Sequence, residues 1–172
     1  MIKKILLFSL LIVFFSACSS KKVSIYNKKQ SPSLQKITNK TKITAPKNAN
    51  YKTKALYEEY NKWFGTKYKY GGESLSGVDC SSFIQQVYFN AFSLKVPRTT
   101  KAQAKTGYKI TKTKLHAGDM IFFKTGWDVR HVGIIIENGK FIHTSTKRGV
   151  SMSSIHNPYW RSNYWQSRRV LP

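Results

Sequence analysis

Residues 79–92, DCSSFIQQVYFNAF, decide how the chain folds. Phe83, Ile84, Val87, Tyr88, Ala91 and Phe92 recur at helical spacing, the apolar stripe of an amphipathic helix. Asp79 is a good helix cap, which puts Cys80 in the first turn. Val96-Pro97 reads as the stop. Upstream, Leu56, Tyr57, Tyr60, Trp63 and Phe64 form a second stripe, closed by Gly65. A loop from Gly71 to Gly77 joins the two. Downstream the period changes. After a short helix near residues 99–106, strands are predicted at 120–123, 132–136, 141–145, 150–155 and 165–171. Helices followed by a run of strands predict an α+β fold, with N-terminal helices packed on a central antiparallel sheet of about five strands.

The N-terminus carries a different signal. Met1–Lys4 is positive, and Ile5–Phe15 is apolar but for Ser9, too short to span a bilayer and suited to a signal peptide. Ser16-Ala17-Cys18 places small residues before a cysteine, similar to the bacterial lipoprotein signal, in which Cys18 becomes the lipidated first residue. Acyl chains there would hold the protein to a bilayer. Residues 19–50 are polar and aperiodic, which reads as a tether. The expected organisation is a signal peptide over 1–17, a lipidated Lys-rich tether over 18–50 and a folded domain over 51–172.

Charge is lopsided, with 30 Lys and Arg against 7 Asp and Glu. Much of the excess is local: residues 21–54 hold ten lysines and no acidic residue. Such a chain is drawn to polyanions. A nucleic-acid partner would contradict the export signal. Anionic lipid or the carboxylate-bearing cell wall would not.

If Cys18 is lipidated, Cys80 has no disulfide partner, and a lone thiol in an oxidising compartment invites damage unless it has work to do. At a helix start it meets unpaired backbone N–H groups and the positive end of the helix dipole, both expected to favour thiolate. A thiol nucleophile needs a proton-transfer partner. His116 and His156 sit beside turns. His131 and His143 sit on neighbouring strands, and register decides whether they meet. A two-residue Asn138-Gly139 turn with unbroken pairing would send the rings to opposite faces. A three-residue loop over 137–139 would pair 136 with 140 and 133 with 143, and put both rings on one face. That loop is the expectation, with Gly133 leaving room for the His143 ring. His131 would then exchange the proton with Cys80, and His143 would orient His131.

Gly71-Gly72, Asp79-Cys80-Ser81-Ser82-Phe83, Val96-Pro97-Arg98-Thr99, Gly118-Asp119-Met120, Arg130-His131-Val132-Gly133 and Phe141-Ile142-His143 together resemble the NlpC family of cell-wall cysteine peptidases. The Spr-type murein endopeptidase lipoproteins are its nearest branch, through Asn157-Pro158-Tyr159-Trp160 and the ending Arg168–Leu171. The likeness covers roughly residues 55–172. It implies a papain-like fold, hydrolysis of amide bonds in peptidoglycan stem peptides, a triad of Cys80, His131 and His143, and Tyr68 as the hydroxyl that helps hold the oxyanion. Ser82 stands where the family string usually has Gly.

The resulting expectation is a cysteine endopeptidase without a cofactor, lipid-anchored in the bacterial envelope on the periplasmic face of the outer membrane. Arg98, Arg130 and Trp127 are candidates for substrate contact. A non-catalytic wall-binding lipoprotein would be expected to lack the nucleophile or base. A zinc site of Cys80, His131 and His143 would lack the close-spaced ligand motif usual for zinc.

Overall fold

The computed structural model describes residues 42–172. The expected signal peptide, Cys18 and most of the expected tether lie outside them. Where the tether would end, Ile43 and Asn61 exchange two hydrogen bonds, so that stretch is docked on the first helix.

Helix α1 spans Tyr51–Trp63; Asn50 caps it by accepting from the Thr53 N–H at 2.9 Å. Its buried face is Leu56, Tyr57, Tyr60 and Trp63. The loop expected at 71–77 contains a two-stranded ribbon, β1 (Glu73–Ser74) with β2 (Gly77–Val78). Helix α2 spans Cys80–Phe92, with Asp79 accepting from the Ser82 N–H at 2.8 Å. It ends at Ser93, in the left-handed conformation at φ 53°, before Val96-Pro97 is reached. Helix α3 is a single turn, Thr100–Gln103.

The main sheet is antiparallel throughout and has six strands rather than about five. They are β3 (Tyr108–Ile110), β4 (Met120–Lys124), β5 (Arg130–Glu137), β6 (Lys140–Ser145), β7 (Gly149–Ser154) and β8 (Tyr164–Arg169), in the order β3-β8-β4-β5-β6-β7. The unexpected strand, β3, has only three residues, too few to show alternation; pairing with β8 makes it a strand. Helix α4 (Pro158–Asn163) follows β7.

Alternation along the strands divides the core. Met120, Phe122, Val132, Ile134, Ile136 and Ile142 pack against α1 and α2. Ile121, Phe123, Ile135, Phe141 and Ile155 form the other face, covered by Leu115, Trp160 and Tyr164. Full burial of side chains such as Phe83, Phe122 or Ile134 is worth roughly 1.5–3 kcal/mol each.

The β5–β6 hairpin corrects one expectation and keeps another. Glu137 pairs with Lys140 across a two-residue turn, Asn138 at φ 41° and Gly139 at φ 69°. Both left-handed values suit Asn-Gly. The three-residue loop is therefore wrong. Its register is nonetheless present, because a bulge between Ile135 and Glu137 inserts Ile136 and leaves Ile135 opposite Phe141 and Ile134 opposite Ile142. The extra residue sits in the strand instead of the loop, and the two histidines still share a face. Gly133 makes room for a different ring than expected: a Cβ there would lie 2.5 Å from Phe141 Cδ2.

Candidate active site

The start of α2 is held from several directions. The Asp79 carboxylate accepts from the Ser82 and Gly71 N–H groups and from Ser81 Oγ. Arg98 clamps it with Nη2 at 2.6 Å and Nη1 at 3.1 Å, and reaches Glu73 through Nε at 2.7 Å. Burial pushes the Asp79 pKa up, but the Arg98 hydrogen bond, the Ser82 N–H and the Arg98 charge reverse that and leave it below the usual carboxylate value. Arg98 thus braces the cap while also lining the cleft beside Cys80. Arg130 lies over the Trp165 ring and donates to backbone carbonyls, while Trp127 is fully exposed.

Cys80 is 8% exposed. Its side-chain hydrogen-bond partner among the described residues is Thr100 Oγ1 at 3.7 Å, not the His131 ring. The backbone N–H groups of Val132 and Ser81 also reach the sulfur. This geometry corrects the expected resting thiolate. Burial raises the thiol pKa, Asp79 adds to that, and the hydrogen bonds from Thr100, Val132 and Ser81 do not reverse it. The resting group is a neutral thiol.

Contact with Val132 places the sulfur beside the residue that follows His131. Strand β5 begins at Arg130, yet its paired register with β6 starts only at Ile134.

The histidines belong to the opposite face. His131 Nε2 and His143 Nδ1 are 2.9 Å apart, with perpendicular rings. His143 Nε2 is 2.9 Å from Ser153 Oγ on β7. Trp160 stacks on His131 with centroids 5.4 Å apart and meets His143 edge-on at 4.9 Å. Burial lowers the His131 pKa from 6.5 to about 4. Burial, then the neighbouring His131 and Arg148, holds His143 well below its usual value. Both rings are neutral at neutral pH. Both nitrogens of His143 are engaged, which leaves it none for a metal, so the zinc alternative does not fit.

Two clefts flank this junction. One, about 630 Å³, is lined by Tyr68, Tyr70, Cys80, Thr100, Asp128 and Arg130. The other, about 410 Å³, is lined by His131, His143, Lys147, Tyr159 and Trp160. Arg130 and His131, adjacent on β5, separate them. Tyr68 is half-buried on the Cys80 side; burial and the nearby Cys80 and Asp79 raise its pKa, so it keeps its proton and can donate. His116 and His156 are exposed. Cys18 lies outside the described residues.

The structure therefore places Cys80 and Tyr68 on one cleft and His131 and His143 on the other, with Arg130 and Val132, the chain neighbours of His131, on the Cys80 side. Thr100, Ser153 and Trp160 were missed as neighbours. Trp160 was visible only inside a quoted motif. Ser153 becomes a neighbour through the β6–β7 register, which pairs Phe141 with Ser153.

Comparison with known proteins finds relatives over most of the folded domain. The NlpC/P60 family matches residues 65–169. "Probable endopeptidase NlpC" of Escherichia coli (strain K12) is 47% identical over 117 residues, 67% of this chain and 76% of that protein. "Murein DD-endopeptidase MepS/Murein LD-carboxypeptidase" of the same strain is 39% identical over 125 residues, 73% of this chain and 66% of that one. A solved Staphylococcus aureus structure, described as similar to lipoprotein of the NLP/P60 family, has a TM-score of 0.64 at 28% identity, covering 81% of this chain and 47% of that chain. The NlpC/p60 domain of peptidoglycan hydrolase SagA gives a TM-score of 0.59 at 28% identity, covering 71% of this chain and all of that domain.

Proposed function

Because this chain belongs to the NlpC/P60 family, we propose that it is a peptidoglycan endopeptidase of the cell envelope with Cys80 as nucleophile, His131 as base and His143 as its orienting partner. The observation that carries this reading is the 2.9 Å bond between His131 and His143 beside a helix-start cysteine whose sulfur meets the Val132 N–H. Relatives named as endopeptidases and a murein DD-endopeptidase supply the substrate class.

The chemistry follows from a neutral pair. His131 Nε2 is occupied by His143, which leaves Nδ1 to take the thiol proton as Sγ attacks the carbonyl carbon of the scissile amide. Catalytic hydrogen bonds are often long before substrate binds. The oxyanion is held by the Tyr68 hydroxyl and by N–H groups of the first turn of α2. As the tetrahedral adduct collapses, His131 returns the proton to the leaving nitrogen, and the acyl group stays on sulfur as a thioester. Water, deprotonated by His131, attacks that thioester; the acid leaves and the thiol regains its proton. The clefts on either side of the junction would hold the two ends of the stem peptide.

The N-terminus completes the reading. Residues 1–17 act as signal peptide, Cys18 carries the lipid, and the Lys-rich tether, expected over 18–50 and docked on α1 at Ile43, gives the catalytic domain its reach from the outer membrane to the wall. The test is to mix the full chain briefly with a cross-linked muropeptide, quench in acid and weigh the protein. A mass increment on the Cys80 peptide that hydroxylamine removes is the expected thioester. Cleavage that continues unchanged in Cys80→Ala would sink the assignment.

A further inference from the structure

Beyond the two histidines the hydrogen-bonded chain continues. Ser153 Oγ lies 2.9 Å from His143 Nε2, and Arg148 Nη2 approaches the same oxygen at 3.5 Å. Ser151 stands directly opposite His143 in the β6–β7 register, yet its hydroxyl is buried without a partner. The chain therefore engages the diagonal hydroxyl, the one that also meets a guanidinium.

A neutral imidazole has one N–H and one lone pair. For His131 to take a proton at Nδ1, its own must sit on Nε2. It then donates to His143 Nδ1, and the His143 proton must sit on Nε2, aimed at Ser153. Without an acceptor at that end the chain is more stable reversed. His143 would donate from Nδ1 to His131 Nε2, and the His131 proton would move to Nδ1, where it blocks the thiol. Arg148 carries donors only, so it cannot accept from His143. By donating to one lone pair of Ser153 Oγ it turns the serine's own proton away and leaves the other lone pair for His143.

We propose that Ser153, backed by Arg148, is a positioning residue that fixes the tautomers of His143 and His131 and so keeps His131 Nδ1 free to receive the Cys80 proton. This rests on the cysteine-hydrolase reading above for its catalytic consequence, but not for the tautomers themselves.

Two readouts separate those claims. In the full chain with Cys80→Ala, ¹⁵N chemical shifts of the ring nitrogens report the tautomers directly. Nε2–H is expected on both His131 and His143, moving to Nδ1–H when Ser153→Ala is added. An Nδ1–H tautomer with Ser153 intact, or no change on its removal, overturns the proposal. In the active chain with a muropeptide substrate, Ser153→Ala should lower kcat about 10- to 100-fold, the scale typical of losing an orienting partner, with KM within about twofold. Ser153→Thr keeps the hydroxyl and should restore most of kcat. Equal rates for all three proteins overturn it. If Cys80→Ala matches the parent in cleavage, the enzyme reading fails, and the nitrogen shifts still decide the tautomer question.

Discussion

Replacing Arg98 with alanine tests how the fold holds the proposed nucleophile. The guanidinium makes two contacts with Asp79, one with Ser81 and one with Glu73. The Glu73 arm is exposed and contributes little. The Asp79 arm differs, because that carboxylate is only 10% exposed. Removing one partner of a fully buried pair costs about 3–5 kcal/mol. Arg98 is 33% exposed, and Asp79 keeps its Ser82, Gly71 and Ser81 donors, so about 2 kcal/mol is expected. Chemistry should suffer too. Asp79 already raises the Cys80 pKa, and unmasking its charge by about 1 kcal/mol would slow alkylation at fixed pH about fivefold. Urea denaturation of Arg98→Ala, Asp79→Asn and the double variant measures the first effect; iodoacetamide rates across pH measure the second. In the Asp79→Asn background, loss of Arg98 should cost much less. Equal costs in both backgrounds, with unchanged alkylation, would refute the brace.

Four further outcomes are expected. With the His131 pKa lowered from 6.5 to about 4, kcat/KM should hold down to pH near 4 before protonation removes the base; a fall centred near pH 6.5 would contradict the burial argument. The same shift fixes the sign for stability: between pH 6.5 and about 4 the unfolded chain binds the extra proton, so stability is present above 6.5 and falls as pH drops, by about 3 kcal/mol in all, readable by urea melts. Trp160→Leu, which strips the indole from both histidine rings, should move the His131 titration back toward 6.5 in an NMR titration. Arg169→Ala leaves Asp119 almost fully buried without its bidentate partner and should cost about 3–5 kcal/mol in urea.

The sequence carried the pairing of the two histidines further than the loop that produces it. The α2 stripe and its Asp79 cap were readable because a helix start has local chemistry. Pairing of His131 with His143 was readable because side-chain parity along a strand leaves two choices. The route was misassigned: a bulge at Ile136 has no local signature, since Ile134, Ile135 and Ile136 look alike in sequence and only packing decides which is extra. Strand β3 was invisible for a similar reason, as three residues become a strand only when β8 is beside them. The thiol's burial also escaped, because Thr100 and the Val132 N–H arrive from elements distant in sequence. The helix-start rule still holds locally, but desolvation outweighs it.

If Cys80 drives hydrolysis of peptidoglycan peptides, digestion depends on its sulfur. The direct measurement is to digest purified peptidoglycan with the full chain and with Cys80→Ala in parallel, and to identify released fragments by mass spectrometry. New free amine and carboxyl termini within the stem peptides, absent from the variant digest, are predicted. Intact, folded protein that binds the wall but releases no fragment would contradict the account and make this chain a wall-binding lipoprotein.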